Sequence, residues 1–133
     1  MTIHAPLFAF AAVLLLATAC THPVDWHEVR TTAEAARDDL ADVSETVSAL
    51  APGIVALCPP TPPAHLRDAC RAVDNSWQAV RTAILMANRV IAAYDATGQT
   101  VEAALKAVDA ADDALQALRR AVDAVRAIAE PVP

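Results

Sequence analysis

Three stretches of the chain repeat apolar residues at alternating spacings of three and four, and no other feature constrains the fold as strongly. The first run comprises Trp26, Val29, Ala33, Ala36, Leu40, Val43, Val47 and Leu50. The second comprises Leu66, Cys70, Val73, Trp77, Val80, Ile84, Ala87, Ile91 and Tyr94. The third comprises Val101, Ala104, Val108, Ala111, Leu115, Leu118, Val122, Val125 and Ala129. A mean spacing of about 3.5 residues is typical of left-handed packing between α-helices. The pattern predicts three long helices that share one core.

The residues between the runs indicate where each helix begins and ends. We expect helices over residues 25–50, 62–96 and 100–130. The capping or breaking residues are Asp25 with Glu28, Pro52 with Gly53, Thr61 with Pro62, Gly98 with Thr100, and Pro131. Short connections make successive helices antiparallel neighbours. The predicted fold class is therefore all-α, an up-down-up antiparallel three-helix bundle over residues 25–130 with heptad-type packing.

The first predicted connection has apolar residues of its own. The second helix is longer than the first, so its first turns need another cover. Ile54, Val55 and Leu57 are candidates for that cover. The alternative is that they are loop residues on the surface, where single apolar side chains are common.

Composition excludes several functional classes. The chain has 133 residues, of which 56% are hydrophobic and 33 are Ala, and this favours helices over strands or disorder. Only 2 residues are Gly, too few for the phosphate-binding loops of nucleotide-binding folds. The net charge of −6 provides no basic surface for nucleic acid. We expect no nucleic-acid partner.

The N-terminal segment has the pattern of an export signal. Residues 7–19 are almost entirely aliphatic or aromatic and lead directly to Cys20. A helix of this length spans about 20 Å, whereas the hydrocarbon core of a bilayer is about 30 Å thick. The segment therefore predicts a cleaved signal peptide over residues 1–19 and not a membrane span.

The sequence Leu16-Ala17-Thr18-Ala19-Cys20 resembles the lipobox of bacterial lipoproteins. The resemblance implies that Cys20 carries lipid, palmitate included, and becomes the mature N-terminus, with residues 20–24 as a short tether. Thr21 stands where an Asp would resemble an inner-membrane retention signal, which implies an outer-membrane lipoprotein that faces the periplasm. The alternative is an ordinary cleaved secretory signal, since Ala17 replaces the usual Leu.

The cysteine count agrees with export. A lipid on Cys20 leaves Cys58 and Cys70 as an even pair, and exported proteins join such pairs. The chain leaves Cys58 along a proline-stiffened segment and returns to Cys70 along the second helix. The two cysteines are therefore expected at similar positions along the bundle axis. We predict a disulfide that fastens the first connection to the start of the second helix. The alternative is a buried Cys70 and a free thiol at Cys58.

The residues that could contribute to a catalytic or metal site are best interpreted as ordinary surface groups. The histidines His22, His27 and His65 are too far apart to share a metal, and Asp38, Asp42 and Glu45 form a solvated helix face. The serines Ser44, Ser48 and Ser76 fall within helices and lack a neighbouring base. We expect no enzyme activity, no metal and no cofactor. A ligand cavity within the bundle is not expected either, because Ala-rich helices pack closely, so we expect no small-molecule substrate.

Leu85 and Met86 lie outside the second heptad run and are candidates for contact with a partner protein or a second copy. The alternative is that the apolar core face of this helix is simply wide here.

The function we expect is a lipid-anchored envelope protein whose bundle is a scaffold or interaction module. The alternative is a phage- or prophage-encoded lipoprotein acting in host lysis or superinfection exclusion. Spanin subunits of that class are proline-rich, and only Pro59, Pro60, Pro62 and Pro63 match them.

Overall fold

Three α-helices account for most of the chain that the structure describes. The computed structural model describes residues 23–130. Helix α1 spans Trp26–Leu57, α2 spans Arg67–Thr97 and α3 spans Val101–Ala129, and a 3-10 helix, Ala64–Leu66, leads into α2. Every helix packs against the other two, and the most extensive contact joins α2 and α3. No strand occurs in residues 23–130, and the predicted class, an all-α helical bundle, is confirmed.

Helix α1 begins where the sequence indicates. The Asp25 carboxylate accepts hydrogen bonds from the backbone N–H groups of His27 and Glu28, at 3.1 and 3.3 Å. These amides belong to the first turn, which has no carbonyl partners within the helix. The predicted capping role of Asp25 is confirmed, and it fixes the first residue of the bundle.

Helix α1 ends later than the sequence predicts. It continues through Pro52 to Leu57, so the predicted end at residue 50 is wrong. Pro52 removes one backbone hydrogen bond and crowds the preceding turn. Ile54 and Leu57 pack against the core cluster, and this burial offsets the cost of the proline.

Helix α2 begins later than the predicted start at residue 62. Pro63 disfavours helical backbone at Pro62, because the proline ring crowds the residue that precedes it. Pro63 is itself extended, with ψ of 149°. The 3-10 turn at Ala64–Leu66 comes next, and α2 follows at Arg67. Two consecutive prolines thus delay the helix.

The turn between α2 and α3 uses two left-handed residues. Gly98 has φ of 68° and its N–H donates to the carbonyl of Tyr94, which confirms its predicted role at the end of α2. Thr100 also has a positive φ, of 66°, and its carbonyl accepts from the N–H of Ala103. Its side chain makes no capping bond, so the predicted capping by Thr100 is wrong. Side-chain capping normally requires extended backbone at this position.

The three heptad runs form the core. The buried members are Val29, Ala33, Ala36, Leu40, Val43, Val47, Leu66, Cys70, Val73, Val80, Ala87, Ile91, Tyr94, Ala104, Val108, Ala111, Leu115, Leu118, Val122 and Val125. Trp26 and Val101, each the first residue of its helix, are members of the heptad runs that the structure leaves exposed. No polar or charged residue is buried among residues 23–130, so apolar packing holds the bundle together.

Candidate functional site

The structure brings Cys58 and Cys70 together at the junction of α1 and α2. Cys58 follows the last residue of α1, and Cys70 is a buried residue in the first turn of α2. Their Cα atoms are 5.5 Å apart and their sulfur atoms are at bonding distance. This separation lies within the range that a disulfide requires. The predicted proximity of the two cysteines is confirmed.

A solvent-open cleft surrounds this cysteine pair. Its volume is about 520 Å³. Its walls come from the end of α1, the proline-rich connection and the first turns of α2: Ala51, Ile54, Val55, Cys58, Pro59, Pro60, Pro62, Arg67, Cys70, Arg71, Val73, Asp74 and Trp77. Most of these side chains are apolar. The cleft is concave and mainly apolar, with a few charged side chains at one edge, which makes it the candidate functional site.

The sequence analysis singled out several residues of this cleft, Cys58, Cys70, Ile54 and Val55 among them, but it did not predict a cleft. Ile54 and Leu57 are half-buried against the core, but they lie within α1 and not in the connection where the sequence analysis placed them. Val55 is 69% exposed and covers nothing. The signal in the sequence that points to a cleft is the group of prolines in the connection, because a stiff connection cannot collapse onto the first turns of α2.

Leu85 and Met86 project from the exposed surface of α2. Their exposed fractions are 59% and 58%, and both are flanked by the half-buried Ile84 and the buried Ala87. Consecutive residues of a helix differ by about 100° in direction, so these two side chains point to adjacent parts of the outer surface of α2. They are not part of the core.

The acidic helix face remains a solvated surface. Asp38, Asp42 and Glu45 are all exposed. A second, polar groove of about 380 Å³ lies between α1 and α3, and Asp39, Asp42, Asp109 and Asp112 line it together with Arg119. Within residues 23–130, no three His, Cys, Asp or Glu side chains come close enough to hold a metal ion.

The remaining candidates lie at the surface or outside the described residues. His27 and His65 are exposed at the start of α1 and in the 3-10 helix. Cys20, Thr21 and His22, together with the signal peptide predicted over residues 1–19, lie outside the described residues.

Among the described helices, α1 has the length and composition that a membrane span would need. Its most apolar 18-residue window is 17% buried. Core helices of soluble proteins and signal sequences share these properties, and Leu40, Val43 and Val47 of α1 are core residues of the bundle.

Comparisons of the chain with protein-family models, curated proteins and solved structures gave no match.

Proposed function

We propose that this chain is an exported, lipid-anchored protein of the bacterial envelope whose helical bundle is a non-enzymatic scaffold or protein-interaction module. Cys20 is the proposed site of lipid attachment, and residues 1–19 are the proposed signal peptide. Thr21 favours transport to the outer membrane, with the bundle in the periplasm.

The observation that carries this proposal is the geometry of Cys58 and Cys70. Their Cα separation of 5.5 Å allows a disulfide without movement of the backbone. Disulfides form and persist in exported proteins and are rare in the cytosol. A cysteine pair built into a helical junction therefore supports export, and it leaves Cys20 as the one cysteine available for lipid.

The proposed bundle has the up-down-up arrangement. The end of α1 meets the start of α2 at Cys58 and Cys70, and the first half of α1 meets the end of α2 at Arg37 and Asp95. Arg126 near the end of α3 lies beside Gly53 near the end of α1. These contacts support antiparallel α1 and α2, with α3 parallel to α1. The start of α1 then lies at the opposite end of the bundle from the cleft.

The proposed interaction module presents apolar side chains away from the core. Leu85 and Met86 provide an apolar face on α2, and exposed apolar residues of this size often mark contacts with other proteins. A partner or a second copy of the chain is the proposed occupant of this face.

The experiment that tests the proposal is inhibition of lipoprotein signal peptidase with globomycin. The expected result is accumulation of the unprocessed precursor in treated cells. The Cys20→Ser variant should fail to mature or should lose its membrane attachment, whereas Cys58→Ser is the matched control and should be processed normally. Normal processing of the unmodified chain under the drug would contradict the proposal.

A further inference from the structure

The last turns of α1 leave apolar side chains partly or largely exposed. From Leu50 to Leu57 no side chain is buried, although most of these residues are aliphatic. Val55 is the most exposed large hydrophobic residue of the described chain, at 69%. This segment forms one wall of the cleft at the junction of α1 and α2, where the exposed apolar surface is concave.

The opposite wall and the floor of the cleft are also apolar. Val73 and the half-buried Trp77 of α2 face Ile54 and Val55 of α1, and prolines of the connection complete the lining. A volume of about 520 Å³ falls within the roughly 300–1,000 Å³ typical of small-ligand sites. Burial of an apolar ligand against these side chains would release water from both surfaces.

The charged residues of the cleft are concentrated on the first turns of α2. Arg67, Arg71 and Asp74 are its only charged lining residues. Arg71 has one weak partner, Asp68, at 3.9 Å, and Arg67 has no ion pair within residues 23–130. The N-terminal turn of a helix also carries partial positive charge. The cleft therefore offers a site for an anion at one edge of an apolar surface, in a chain of net charge −6.

We propose that this cleft binds a single acyl chain of a lipid that has an anionic head group. The acyl chain lies against Ile54, Val55 and Trp77, and the head group lies beside Arg67 and Arg71. A peptide fits less well, because its backbone amides would need polar partners, and the polar side chains of the lining are few: Arg67, Arg71, Asp74 and the indole N–H of Trp77.

This ligand is distinct from the lipid proposed on Cys20. The lipid on Cys20 is proposed to be covalent, whereas the cleft ligand is bound without a covalent bond, at the end of α1, about 48 Å along the 32 residues of the helix from its start. The expectation of no small-molecule substrate concerns the bundle interior, and the cleft lies outside that interior.

The two tryptophans allow a direct test. In the Trp26→Phe variant of the full chain, Trp77 is the only fluorescent indole. Titration with 12-bromododecanoate, below its micellar concentration, should quench Trp77 in a saturable manner, because bromine quenches indole only on contact. In the Trp77→Phe variant the remaining Trp26 lies about 42 Å along α1 from Ile54 and should show no saturable quenching. Absence of saturable quenching of Trp77 would overturn the proposal.

Charge and shape variants make the test specific. Val55→Glu, in the Trp26→Phe background, should abolish saturable quenching, and Leu85→Glu is the matched control at a similarly exposed position of α2 and should retain it. Arg67→Gln combined with Arg71→Gln should weaken binding about fivefold, the size expected for exposed ion pairs. Dodecanoate should compete with the probe and dodecyltrimethylammonium should not. The proposal would be contradicted if Trp77 were quenched to the same extent in a Val55→Glu variant whose helicity is native by circular dichroism. It would also be contradicted if dodecyltrimethylammonium competed as well as dodecanoate.

Discussion

Arg37 of α1 and Asp95 of α2 form the only ion pair between helices in the part of the chain that the structure describes, with 2.8 Å between Nη2 and Oδ2. The two residues are 58 positions apart in sequence, and the pair joins the first half of α1 to the end of α2. Both side chains are partly exposed, at 45% and 34%. Water and salt therefore screen their attraction.

The Arg37–Asp95 pair should contribute little to stability. A double-mutant cycle with Arg37→Ala and Asp95→Ala, measured by urea unfolding, should give a coupling free energy of at most about 1 kcal/mol. The coupling should decrease further in 1 M salt. A coupling of several kcal/mol would show that the pair is shielded from solvent, in conflict with its exposure.

Gly98 should tolerate no side chain. Its φ of 68° is left-handed, and a Cβ would collide with Val24 and lie 3.3 Å from Val29. We expect Gly98→Ala to destabilise the bundle by about 2 kcal/mol, since it combines backbone strain with a steric clash.

Gly53→Ala is the matched control for Gly98→Ala. Gly53 lies within α1, and a Cβ there would make an ordinary contact with Arg126 at 3.5 Å. The change should stabilise the protein by about 0.5–1 kcal/mol, because Ala favours the helix over Gly. Thermal unfolding of both variants measures the difference, and equal effects of the two changes would contradict the turn geometry.

The cysteine pair should stabilise the junction of α1 and α2. Removing it by Cys58→Ser and Cys70→Ser should lower the free energy of unfolding by about 3 kcal/mol, as the chain-entropy model gives for a loop with a sequence separation of 12 residues. Hydrogen exchange should increase first in residues 51–70, while α3 stays protected. Labelling of the unfolded, unreduced chain should leave Cys58 and Cys70 unmodified, and two labelled thiols besides Cys20 would exclude the disulfide.

Leu85 and Met86 should be needed for association and not for folding. Changing both to Glu should leave helicity and Tm nearly unchanged, because their side chains are exposed, and should abolish a crosslinked species. Leu118→Ala is the contrasting core variant and should cost about 2–5 kcal/mol, because Leu118 is fully buried. Unfolding of the Leu85 and Met86 double variant would place these residues in the core.

The sequence determines the core of this protein more clearly than its helix ends. Apolar side chains spaced by three and four must share one face of a helix, so the period alone identified Val80, Ile91 and Leu118 as core residues, and all three are fully buried. Helix ends depend on smaller free energies. At Pro52 the cost of a proline competes with the burial of Ile54, and no local pattern shows which of them prevails.

The candidate site is predictable only in part. The positions of Cys58 and Cys70 followed from the proline-stiffened connection, because both extended and helical backbone have fixed rises per residue. The cleft depends on how far α1 extends past Pro52, which the sequence placed incorrectly. A cleft wall formed by Ile54 and Val55 requires those residues to be helical, as the structure has them.

The central claim is that the chain is exported and anchored by lipid at Cys20, and mass spectrometry of the mature N-terminal peptide tests it most directly. The account predicts that the purified membrane-bound protein begins at Cys20 and that this peptide carries a diacylglyceryl group and an amide-linked acyl chain. A mature N-terminus at any other residue, or an unmodified Cys20, would contradict it.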